Sequence, residues 1–72
     1  MITISENTLK TLRENYTPGT RVQLDQMDDA QAPPKGTQGT VIGVDDEATI
    51  MVKWDNGSGL GVVYNVDICH II

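Results

Sequence analysis

The sequence has no phenylalanine, a single cysteine, one tryptophan, and only five lysines and arginines against ten aspartates and glutamates. Each shortage excludes something. Without phenylalanine the core has to be assembled mainly from Val, Ile, Leu, Met and Trp54. One cysteine, Cys69, cannot form an intramolecular disulfide framework. The scarcity of cations leaves a formal charge of −5, and a surface of that sign repels phosphate, whose neutralisation supplies most nucleic-acid affinity. Direct contact with DNA or RNA is therefore not expected. A basic partner, or one that normally binds nucleic acid, is favoured electrostatically. The apolar runs fall far short of a membrane span, and Met1 to Ser5 show no cationic stretch followed by an apolar one. These features predict a cytoplasmic protein that does not engage membranes.

Seventy-two residues make one domain. A chain of this size buries only about 60% of the surface its unfolded form exposes, and its core supplies roughly 3–5 kcal/mol of net stability. Little volume remains for a deep pocket, which argues against an enzyme. The charge is also unevenly placed. Residues 1–16 balance Glu6 and Glu14 against Lys10 and Arg13, whereas the rest sets eight acids against Arg21, Lys35 and Lys53.

The hydrophobic pattern divides the chain at the same point. Ser5 is a suitable helix N-cap, with Ile4 and Leu9 spaced as a hydrophobic staple. Leu9, Leu12 and Tyr16 then make one narrow apolar stripe. Thr17-Pro18-Gly19 ends the helix and favours a turn. About a dozen helical residues are too few to be stable alone, so the stripe must dock on its own barrel or on a partner. Residues 1–16 thus read as a helical appendage and 17–72 as the main domain.

Beyond Gly19 the period becomes two. A short strand spans Arg21 to Leu24, with Val22 and Leu24 inward. The polar stretch from Asp25 to Gly36 reads as a loop, since Pro33-Pro34 cannot donate to a ladder. A second strand runs from Gly39 to Val44. Gly43 marks a bulge that would let both Val41 and Val44 face the core. Asp45-Asp46-Glu47 forms a hairpin tip, and a third strand from Thr49 to Trp54 places Ile50, Val52 and Trp54 on one face. Asp55-Asn56-Gly57 is the strongest turn signal, because Asn-Gly readily takes positive φ. Leu60 to Val63 and Ile68 to Ile72 complete five strands. The predicted fold is mainly β: a small, five-stranded, partly open SH3-like barrel with a short N-terminal α-helix.

The order Pro18-Gly19-Thr20-Arg21-Val22, Met27-Asp28-Asp29, Ala32-Pro33-Pro34, Gly36-Thr37, Gly39-Thr40-Val41 and Val44-Asp45-Asp46 continues into Ile50, Val52, Trp54-Asp55-Asn56-Gly57-Ser58, Leu60 and Asp67. These motifs resemble a bacterial and phage family of short barrels, the domain of unknown function 4314, over residues 17–72. The Gly-Thr-Val strand and the Trp-Asp-Asn-Gly turn are more distantly similar to KOW-type and Mib-type SH3-like barrels. Those bind very different partners, so function does not transfer from the fold. Where the family commonly has Gly before the last Val-Asp, this chain has Tyr64-Asn65, and Asn tolerates the left-handed conformation. The resemblance implies a small module in a phage or mobile-element setting and carries over no activity, cofactor or site residue.

The chemistry-bearing side chains read mostly as structural. Asp25, Asp28 and Asp29 lack the alternating acids and distal Glu of a Ca²⁺-binding EF-hand loop. No second His or Cys accompanies Cys69 and His70 to make a zinc site, and no nucleophile–base arrangement involves His70. Cys69 reads as a small buried hydrophobe. Gly57, Gly59 and Gly61 lead into a strand, so no helix N-terminus is available to hold an anion. The residues left with a binding reading are Trp54, Tyr64, Asp28 and Asp29. Trp54 is in phase with the core, but a half-exposed platform of Trp54 beside Tyr64, flanked by Asp28-Asp29, would suit a basic peptide. The predicted function is a non-enzymatic protein-interaction module that binds a basic protein or peptide through its acidic face and needs no cofactor or metal. The alternative is a small acidic inhibitor or ligand sequesterer that occupies a cationic groove on a host defence or nucleic-acid enzyme. A third reading is self-association through Leu9, Leu12 and Tyr16.

Overall fold

A computed structural model describes residues 4–72: one short helix followed by five antiparallel strands in a single open sheet. Helix α1 (Glu6–Asn15) starts at Ser5, whose hydroxyl accepts the Thr8 amide at 3.1 Å. It ends at Tyr16, whose amide donates to Leu12 at 2.8 Å. The strands are β1 (Arg21–Gln26), β2 (Gln38–Val44), β3 (Thr49–Trp54), β4 (Val62–Val63) and β5 (Ile68–Ile71). Their lateral order is β4-β3-β2-β1-β5. The two edges are thus the two strands that follow each other last in the chain.

Period-two alternation builds the core. Val22 and Leu24 on β1, Val41 on β2, Ile50, Val52 and Trp54 on β3 and Val62 on β4 are all buried. Leu12 and Tyr16 pack against this cluster, which answers where the helix docks: on its own sheet. Arg13 fastens the same junction by donating from Nη2 to Asp46 Oδ1 at 2.7 Å and from Nε to the Val44 carbonyl at 3.3 Å. Leu9 stands apart and lines a shallow depression with Glu6, Lys10 and Thr17. The stripe proposed for self-association is therefore divided between docking and surface.

The bulge in β2 lies where the sequence placed it. Val41 pairs with Val52 and Gly43 with Met51, so Ile42 is the additional residue. Ile42 turns outward, 61% exposed, while Val41 is buried and Val44 packs on the core despite their odd spacing. Gly39 fulfils a different need. A Cβ there would lie 2.7 Å from Val52, 2.8 Å from the Trp54 ring and 2.9 Å from the Lys53 carbonyl. The Trp54 ring sits this close to the backbone of β2 only because residue 39 has no side chain.

Three local expectations need correction. The first strand runs on to Gln26, since β1 continues past its own register shift to pair with β5. The fourth strand is only Val62–Val63. Leu60 does not join it, because its carbonyl accepts the Trp54 indole N–H at 2.7 Å. Gly61 instead makes the close approach to Thr49 that brings the chain back to β3. At the Asn56-Gly57 turn only Gly57 takes positive φ, at 93°. Asn56 contributes its side-chain oxygen, which accepts the Ser58 amide at 3.0 Å. Asn65, in contrast, does adopt the left-handed conformation, at φ 65°.

Candidate functional site

Trp54 and Tyr64, expected side by side, lie at opposite ends of the β3–β4 hairpin. β4 pairs Val63 with Thr49, and the Tyr64 amide donates to Ala48 at 3.2 Å. Trp54 is five positions further along β3, or about 17 Å at the rise of a strand. Antiparallel strands run apart from their shared turn, so residues late in β4 return to the start of β3. Trp54 is also only 1% exposed, with its one polar atom bonded to Leu60. It offers a partner no surface, and the core reading of the pattern describes it. Tyr64 is 36% exposed.

Asp28 does meet the Tyr64 turn, through a residue the sequence reasoning gave no role. Asp67 accepts the Asp28 amide on Oδ1 at 3.0 Å and the Val63 amide on Oδ2 at 2.9 Å, and its own amide donates to the Val63 carbonyl at 2.9 Å. It therefore pins the loop after β1 to the turn between β4 and β5. The signal in the sequence was an Asp closing an Asn-x-Asp turn; its bond to a residue 39 positions away had no local trace. Asp29 braces its own loop, accepting the Gln31 amide at 2.7 Å. Both Asp28 and Asp29 are exposed.

A groove of about 340 Å³ opens beside this turn, between the end of α1 and the two edge strands. Leu12, Tyr16, Val62, Val66, Ile68, Asp67 and Cys69 are among the residues that line it. Val66 and Ile68 in its lining are 45% and 53% exposed. Six of the eight large hydrophobic side chains exposed among the described residues, Val63, Tyr64, Val66, Ile68, Ile71 and Ile72, fall after the start of β4.

Cys69 and His70 are adjacent but unrelated chemically, since neighbours on a strand point to opposite faces. Cys69 pairs across from buried Leu24. Its thiol is pushed up to about 11 by burial first and then by the negative charge of Asp25, against an opposing hydrogen bond from Tyr16 and with a further push from Asp67. Such a thiol carries little thiolate at neutral pH and is a poor nucleophile. His70 lies on the outer face, where its Nδ1 is 2.7 Å from Asp25 Oδ2. Burial, followed by the neighbouring Cys69, raises the Tyr16 phenol in the same way. Among the described residues, no group of three His, Cys, Asp or Glu side chains is placed to hold a metal ion.

Other charged side chains brace turns of the sheet. Arg21 grips Asp55 with two parallel bonds of 2.9 and 2.6 Å and also donates to Thr40 at 2.9 Å. The hydrogen bond from Arg21 holds the Asp55 carboxyl below its usual range. Asp45 accepts the amides of Glu47 and Thr49 and so closes the acidic tip. No helix of the described residues is long and apolar enough to cross a membrane.

A family model described as "Domain of unknown function (DUF4314)" matches residues 5–72, helix and sheet together. No curated protein and no solved structure shows significant similarity to the chain.

Proposed function

The chain belongs to the DUF4314 family, and from that premise we propose that it is a non-enzymatic protein-interaction module that binds a basic protein or peptide on its acidic side. One observation carries the reading: Asp67 holds the exposed Asp28-Asp29 loop against the apolar turn bearing Tyr64 and Val66. Carboxylates beside a solvent-facing apolar patch combine charge selection with area to bury. Tyr64, Asp28 and Asp29 are the proposed contact residues, and Trp54 supports them only from the core.

The proposed setting is the cytoplasm, within a phage or mobile-element programme, with the open sheet acting as an SH3-like barrel. Affinity retention from host lysate tests the reading. A basic protein held at low salt, released at moderate salt and not retained by an Asp28→Asn/Asp29→Asn double variant supports it. Retention that is indifferent to salt and to both carboxylates contradicts it. Displacement of the protein from its target by nucleic acid would instead favour the acidic-inhibitor reading, in which the chain occupies a groove meant for phosphates.

A further inference from the structure

The backbone of β5 supplies a second set of recognition groups beside the groove. Ile72 donates its amide to the Arg21 carbonyl at 3.1 Å, and Val22 lies opposite Ile71, Gln23 opposite His70 and Leu24 opposite Cys69. In an antiparallel ladder, bonded and non-bonded pairs alternate. His70 and Ile72 therefore turn their N–H and C=O groups towards β1, and Cys69 and Ile71 turn theirs away from it. Leu24, the partner of Cys69, shows the same alternation from the other side, since it bonds to Thr37 and Gly36 instead. No strand among the described residues pairs with the outer edge of β5. That edge has no proline and no lysine, and Ile68, Ile71 and Ile72 are about half exposed.

We propose that the free edge of β5 takes an extended segment of the partner as an added strand, with alternate apolar side chains entering the groove and lysine or arginine flanking them. This mode deepens the acidic-face reading and rests on it. The groove lies on the same side of β5 as Cys69, so every second residue of an added strand would project into it. Charge selects the occupant. Asp25 and Asp67 both lie close enough to Cys69 to act on its thiol, Asp28 adjoins Asp67, and no lysine or arginine lines the groove. A second copy of this acidic chain would bring further carboxylates to the same rim, whereas a basic strand is attracted to it.

The test uses the whole chain and a synthetic peptide of seven residues in which lysine alternates with valine, beside the same peptide N-methylated on every second amide. N-methylation removes strand pairing from one edge and leaves charge and side chains in place. Added-strand binding predicts that the parent peptide slows hydrogen exchange at the Cys69 and Ile71 amides by about tenfold or more. It also predicts that Ile71→Pro, which deletes an outward N–H and no bond to β1, abolishes binding. One of the two N-methyl registers should bind at least about tenfold more weakly than the parent. If both N-methylated registers bind as well as the parent, the added strand is overturned while salt-sensitive binding keeps the acidic-face reading. If no basic peptide binds the folded chain at low salt, both readings fall together.

Discussion

The two flanks of the sheet are built to different standards. On one, β2 and β3 pair over five positions, Trp54 seals against Gly39, and Arg21 ties β1 to β2 through Thr40 and to the turn after β3 through Asp55. On the other, β4 is two residues long, no strand among the described residues pairs with the outer edge of β5, and Tyr64 and Val66 in the turn between them are exposed. The contrast separates two tasks in a very small molecule. With only a few kcal/mol of stability available, the chain concentrates its packing on one flank and leaves the other open for contact. Val62 and Cys69 anchor the open flank to the core, and Asp67 ties its turn to the loop after β1.

That comparison can be broken first at its strong end. Trp54→Ala should cost about 3–5 kcal/mol, as removal of a buried aromatic does, which equals the whole net stability of a domain this size. Chemical denaturation should find the variant unfolded or nearly so. Gly39→Ala should cost about 1–3 kcal/mol by overpacking, because backbone as well as side chain meets the new methyl. A loss close to zero in denaturant midpoint would show that β2 and β3 part more easily than the close contacts imply.

pH sharpens the comparison from both ends. The folded Asp55 carboxyl lies below its ordinary value. It therefore contributes stability that is present above the ordinary carboxylate range and lost as pH falls through the folded value. In Asp55→Asn the acid limb of a stability–pH curve should flatten. The folded Cys69 thiol is raised from 9.0 to about 11. The unfolded chain deprotonates first, so stability declines between those two values as pH rises. Cys69→Ala should remove that decline, and alkylation of the native thiol should be slow at neutral pH. At the weak end of the comparison, Val66→Ser and Ile68→Ser should change stability by no more than about 0.5 kcal/mol, since both side chains are about half exposed. The same substitutions should weaken partner binding measurably.

Much of the strong flank was legible in the sequence. Alternation from Val22 to Trp54 named the core, and Gly43 announced the bulge that brings Val41 and Val44 to one side. Ser5 marked the helix start. These are local signals, in which a residue type and its near neighbours decide the outcome. The open flank was less legible because its features arise from pairing between distant residues. Asp67 to Asp28 and His70 to Asp25 join positions 39 and 45 apart, and no periodicity encodes them. Leu60 looked like strand because it is apolar, yet its carbonyl was claimed by the Trp54 indole. The expected neighbourhood of Trp54 and Tyr64 failed for a topological reason, the reversal of the chain between β3 and β4. What the sequence did indicate about the site was its charge: Asp28 and Asp29 are exposed beside the turn that carries Tyr64.

The central claim is that the open flank is the binding flank, and amide chemical shifts followed during titration of the labelled chain with a basic peptide test it most directly. The account predicts salt-dependent shifts confined to the Asp28-Asp29 loop, to Val62 through Asp67 and to β5, with Gly39 and Trp54 unmoved. Shifts centred on the Trp54 and Gly39 flank, or none at low salt, would contradict it.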